Sequence, residues 1–213
     1  MYMIGREDWS KLVNAIARAF MIQIQGEIYN ELLSAATRIP TAMKSGFLAA
    51  GALSASTKAA FDNIIENVQT ANDSSVVILG TKTALKQLNN LSDVNWRADS
   101  LKEDVSHSGR MGDYEGTTLM EIPQRFASKN SLTKMYDNTK LWILPANDAD
   151  KFVKFVDVGE TEIDEITEKG EEHGRWDDLM KYEVQRSYGI ATILGRYFGQ
   201  WTISSASSAT LGE

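Results

Sequence analysis

Apolar side chains at Trp9, Leu12, Val13, Ile16, Phe20, Ile24, Ile28 and Leu32 recur every three or four residues. That spacing draws one stripe down a helix. It predicts a helix from about residue 6 to 38, roughly 50 Å long at 1.5 Å per residue. This is several times the usual three-turn helix of a globular domain. Met21, Ile22, Tyr29 and Leu33 widen the stripe. A face that broad needs cover on more than one side, from the body of the chain and from a neighbour. Pro40 ends the pattern, because the residue before a proline resists the helical region. Whatever this chain folds into has to be built around a strut.

The pattern after the strut is mixed. Residues 41–53 are small and varied, with Gly46 and Gly51, and read as a loop with a short strand or turn. Ser54 or Ser56 is expected to cap a helix over about 57–71, facing inward through Phe61, Ile64, Ile65 and Val68. Asn72-Asp73 closes it as a turn. Val76 to Leu79 is a continuous apolar run before Gly80 and reads as a buried strand. Thr81 caps a further helix over about 82–91, with Leu85, Leu88 and Leu91 inward. Helix, strand, helix in that order suggests helices packed on a sheet. Residues 92–112 are polar and read as a turn-rich region, with a glycine-rich loop expected over 105–116. Strands are expected at Thr117–Ile122, at Lys140–Leu144 and from Phe152 to Val158. Asn147-Asp148 starts a short helical turn, and Glu162–Thr167 reads as an exposed edge strand. From Lys181 onward the chain reads as extended strands broken near Gly189 or Gly199, with helix an alternative for 176–187. The tail 204–213 reads as frayed. The fold class is therefore α+β.

Composition narrows the function. The chain has 213 residues, 43% of them apolar and 24% charged, enough to bury a sizeable core. Its net charge of −7 argues against a general nucleic-acid coat, which needs clustered Lys and Arg. The charge is concentrated. Asp157 to Asp178 holds ten acids against Lys169 and Arg175, a local charge of −8, so the rest of the chain is near neutral. Such a run is a solvated strand face or loop, or a patch that meets a basic partner. There is no cysteine, hence no disulfide and no thiolate metal site. No signal peptide is evident, and no stretch reaches the length of a membrane span.

Chemistry-bearing motifs are sparse. Val76 to Thr83 invites comparison with a phosphate loop, which needs G-x-x-x-x-G-K-[ST] so that backbone N–H groups ring the phosphates. Here Ser75 stands for the first glycine and Thr81 separates Gly80 from Lys82, so a helix cap is the better reading. His107 sits in a polar loop and His173 in the acidic window beside Glu171, Glu172 and Asp177. The carboxylate spacing matches no Ca²⁺ loop, and no G-x-S-x-G elbow is present. No catalytic, cofactor or metal residue is assigned. The five tryptophans (Trp9, Trp96, Trp142, Trp176 and Trp201) read as core anchors, with Trp96 and Trp176, in polar surroundings, the better candidates for partner contact. The candidate interface residues are Trp9, Trp96, Tyr114, Glu162, Asp164 and Trp176.

In this order, several segments resemble the major capsid protein of tailed phages with the Hong Kong 97-type fold. "DWSKLVNAIARAFMIQIQGEIYNEL" resembles the spine helix of the peripheral domain. "STKAAFDNIIENVQTANDSSVVILGTKTALKQL" resembles the opening of the axial domain. "GDYEGTTLMEIPQRF" and "KLWILPANDADKFVKF" resemble its next strands, and "YEVQRSYGIATILGRYFGQWTI" the return into the peripheral domain. The resemblance implies a peripheral part with the spine helix over 1–53, an axial domain over 54–150, a return over 151–203 and the tail over 204–213. The family's usual N-terminal arm and extended loop have no counterpart ahead of the helix. The resemblance implies a non-enzymatic shell subunit of a phage or prophage, self-assembling into pentamers and hexamers. Its partners would be copies of itself, with packaged DNA met only indirectly and no membrane. It would assemble in the host bacterial cytoplasm and reside in the virion. The glycine-rich loop would adapt between five-fold and six-fold settings. Two other readings stay open: a soluble α+β enzyme with an acidic metal-dependent site, and a non-capsid scaffold that docks another helix.

Overall fold

A computed structural model describes residues 9–91, 99–127, 131–146, 153–167, 180–192 and 197–204. The fold is mixed α and β, as the sequence predicts. Helix α1 runs Trp9–Arg38, and α2 (Thr41–Phe47) leads into strand β1 (Leu48–Gly51). Helix α3 (Lys58–Asn72) is followed by β2 (Val76–Thr81), α4 (Lys82–Gln87) and a 3₁₀ turn at Leu88–Asn90. Then come α5 (Asp99–Ser108), β3 (Asp113–Tyr114), β4 (Thr117–Ile122), β5 (Lys140–Pro145), β6 (Val153–Thr167), β7 (Met180–Thr192) and β8 (Gly199–Ile203).

Six strands form one sheet in the order β1-β8-β5-β2-β4-β3. β2 is central, parallel to β4 and antiparallel to β5. The strand period of two divides the side chains between its faces. On one face Leu141, Ile143 and Ile78 meet Phe61, Ile64 and Val68 of α3, together with Leu85, Leu88 and Trp201. On the other face Trp142 and Phe198 meet Tyr29, Leu32, Ala35 and Ala36 of α1. The chain is thus three layers deep, α3 and α4 on one side and the last third of α1 on the other. Each fully buried large side chain contributes about 1.5–3 kcal/mol.

Thr81 caps α4 as its sequence suggests, its hydroxyl accepting from the Ala84 amide at 3.4 Å. The cap of α3 is Thr57, not Ser54 or Ser56. The Thr57 hydroxyl accepts from the Ser54 amide at 3.0 Å and donates to the Ala52 carbonyl at 2.7 Å, tying the entry loop rather than the helix end. Asp73 closes α3 in the left-handed region at φ 47°.

Three expectations are corrected. Residues 41–47 are helical, because Pro40 (φ −55°) is already set at the entry of a helix. The polar region 92–112 contains α5, and the expected adaptable loop over 105–116 is helix up to Ser108 and then a tight hairpin. Glu115 (φ 47°) and Gly116 (φ 81°) both take positive φ, the two-residue turn whose twist matches paired strands. The stretches expected as separate strands before and after Gly159 are one strand, β6, with Gly159 at φ 88° where the register shifts between Val158 and Glu162. The alternative of helix over 176–187 is settled for residues 180–187, which are strand. The turn at 147–148 and the tail from residue 205 lie outside the described residues.

The sheet joins all three stretches of the sequence division. β1, from 1–53, pairs in parallel with β8, from 151–203, and β8 in turn pairs with β5 of 54–150. The boundaries at residues 53 and 150 therefore do not coincide with an edge of the sheet.

Candidate assembly surface

α1 is covered by the rest of the chain along only part of its length. Its 30 residues span about 45 Å, yet its fully buried side chains are Tyr29, Leu32, Ala35 and Ala36, all in its last third. Toward the N-terminus the same helix stays apolar without cover. Val13 is 44% exposed, Met21 is 58% exposed, and Ile16, Phe20 and Ile24 are half-buried. The broad stripe of the sequence is thus covered by the chain itself at one end only.

The second feature is an arm. β6 and β7 pair only with each other, antiparallel from Val153↔Thr192 to Thr167↔Met180. A lone two-stranded ribbon is marginal in water unless it is covered. Its base is anchored on α1, where the Thr192 hydroxyl donates to Glu31 at 3.2 Å. Desolvation first, and then the neighbouring Glu27 carboxylate, push the Tyr188 phenol above its ordinary value. Phe155 stacks on Tyr188 with centroids 5.5 Å apart. Arg186 grips both oxygens of Asp157 across the strands, which holds that exposed carboxyl below the usual range. Val156 and Val158 remain more than half exposed.

The sequence-derived interface residues fall in different places. Trp9 lies in the first turn of α1, at its uncovered end. Glu162 and Asp164 lie on β6, in register with Gln185 and Glu183. Trp96, Trp176 and His173 lie outside the described residues. Tyr114 belongs to the core, not to the surface. Its ring is 2% exposed and meets Phe61 edge-on at 5.5 Å, and its hydroxyl donates to Asp62 at 2.7 Å. Burial, then the bond to Asp62, push its phenol strongly up. Lys58 bridges Asp62 at 2.8 Å and Glu115 at 2.5 Å beside it. Trp142 and Trp201 are core anchors, as their strands suggest.

Two exposed apolar residues escape a reading by periodicity. Phe126 pairs with Lys134 in an isolated antiparallel bridge yet is exposed, and Leu132, two residues before Lys134, is 86% exposed. The available signal is a lone apolar residue in a polar run, which is weak. His107 is exposed in the last turn of α5. Among the described residues no cluster of three or more His, Cys, Asp or Glu is placed to hold a metal ion. No helix among them is long and apolar enough to cross a membrane.

The family model described as "SPbeta prophage-derived putative capsid protein YonB" matches residues 1–202, and the chain belongs to that family. No curated protein matches the chain.

Proposed function

We propose that this chain is a structural, non-enzymatic subunit of an icosahedral phage or prophage capsid shell, self-assembling into pentamers and hexamers. The observation that carries the reading is the match to a capsid family over nearly the whole chain. The uncovered first half of α1 and the lone β6–β7 arm support it, since both leave apolar surface for other copies to cover. Several moderate contacts per subunit suffice for a closed shell, because each subunit is held by all of them at once.

The finer reading is a Hong Kong 97-type subunit. The strut helix, the helix–strand–helix opening of the α/β lobe and the meeting of the first and last segments through β1 and β8 support it. In that reading 1–53 and 151–203 form the peripheral part and 54–150 the axial lobe. Trp9, Trp96, Glu162, Asp164 and Trp176 contact neighbouring subunits. The partners are other copies of the chain, packaged DNA is met only indirectly, and the site of residence is the virion after assembly in the host cytoplasm.

The test is negative-stain electron microscopy with light scattering on the purified full chain. Closed shells, or five- and six-membered rings, are the expected result. A monomer that persists at the highest attainable concentration overturns the reading.

A further inference from the structure

The helix α1 carries two kinds of face along its uncovered half. Gln23, Glu27 and Glu31 recur every four residues, and this stripe takes the chain's own arm through Tyr188 and Thr192. Lys11 and Arg18 are seven residues apart, so they share a face. At about 100° per residue, Arg18 and Glu27 lie about 180° apart around the helix. The basic face is therefore turned away from the chain's own arm. It is exposed at Lys11, Ala15, Arg18 and Ala19, and only half-buried at Ile22. Between Trp9 and Gly26 the helix has no acidic residue, and among the described residues neither Lys11 nor Arg18 has an ion-pair partner.

The outer arm has the opposite character. Gly159–Thr167 contains Glu160, Glu162, Asp164 and Glu165 and no base. Its partner strand adds Lys181 and Glu183, which cancel, and Arg186, which is already bound to Asp157. The outer arm thus carries a surplus of negative charge on a ribbon that no other strand among the described residues joins.

We infer that the outer β6–β7 arm of one subunit lies across the Lys11–Arg18 face of α1 in a second copy. This rests on the self-assembly proposed above and names the surfaces that meet. The small side chains of Ala15 and Ala19 let a ribbon backbone come close. Lys11 stands one turn ahead of Ala15, and Arg18 stands between Ala15 and Ala19, placed to receive the carboxylates. The charges set which segment docks and in what position, and the apolar area closed around them holds it. The contact is heterologous, arm to helix, so it continues from copy to copy around a ring.

The test mixes isotopically heavy and light full-length copies, lets them assemble and treats them with a zero-length carbodiimide. The expected product joins Lys11 of one mass to Glu160, Glu162, Asp164 or Glu165 of the other. The double change K11E/R18E is expected to raise the concentration for half-assembly at least ten-fold. Adding E162K/D164K/E165K is expected to restore most of the loss. Shells with Lys11 joined only to acids of its own copy, or to acids elsewhere, overturn this inference and leave the capsid reading standing. A chain that forms no shell or oligomer, with every link inside one copy, overturns both.

Discussion

Gly199 lies directly beneath Ile64: a Cβ built on it would fall 2.5 Å from the Ile64 Cγ2 and 3.2 Å from the Ile143 Cβ. α3 therefore lies tight against the sheet at the start of β8. Gly199→Ala is expected to cost about 1–3 kcal/mol by overpacking. Gly26→Ala is the contrast. There the added methyl meets only the flexible end of Met135, and alanine regains about 0.8–1 kcal/mol of helix propensity. Urea titration should show a clear loss for the first and a change within about 1 kcal/mol for the second.

Tyr114 sets an alkaline limit. Its phenol is held protonated in the fold by burial and by Asp62. In the unfolded chain it titrates near ~10. Stability from this group is complete below that value and falls as pH rises toward the folded one, since the unfolded chain then releases a proton that the fold retains. Tyr29 and Tyr136 are also raised by burial and act in the same direction. Tyr114→Phe should flatten the loss above about pH 10 while lowering stability near pH 7 by about 1 kcal/mol. Denaturant melts across pH 7–11.5, followed by circular dichroism, provide the check.

Thr81 joins β2 to α4 and is 1% exposed. Thr81→Ala removes the acceptor for the Ala84 amide, and the expected loss is about 1 kcal/mol. Thr81→Ser should retain most of it. Thermal unfolding of the two variants side by side separates capping from packing.

The arm is expected to matter for association and little for folding. Replacing residues 159–186 by Asn-Gly leaves Val158 opposite Ser187, the pairing that a two-residue turn requires. Among the described residues, neither core cluster draws a side chain from that stretch. Secondary structure and cooperative melting should persist, with a midpoint within a few degrees of the parent. Sedimentation should show that the variant no longer assembles.

What could be read from the sequence follows from the reach of each signal. α1, β2 and α4 were legible because their apolar spacing is long or continuous and Pro40, Gly80 and Thr81 punctuate it. α2 and α5 were not. α2 has seven residues, and α5 has only Leu101 and Val105 as apolar positions, one pair four apart, too little to draw a stripe. The sheet order was illegible for another reason: Gly51 and Ile203 are in register although they lie 152 positions apart in the sequence, and no local pattern records that pairing. For the candidate surface, the sequence showed a stripe too broad for one partner but not where its own cover ends. It also offered Tyr114 as an interface residue, since no local pattern marks it as core. The hairpin turn at Glu115-Gly116 instead sets Tyr114 on the ring of Phe61.

The place of β8 in the sheet bears on timing. It is the last strand in sequence order, yet it sits between β1 and β5, and Trp201 donates from its indole to the Gly51 carbonyl at 3.0 Å. On the ribosome, β1 has to wait until β8 has been made before its neighbour exists. A half-made subunit therefore has an unfinished sheet, and copies cannot join prematurely through a completed body while translation is still under way.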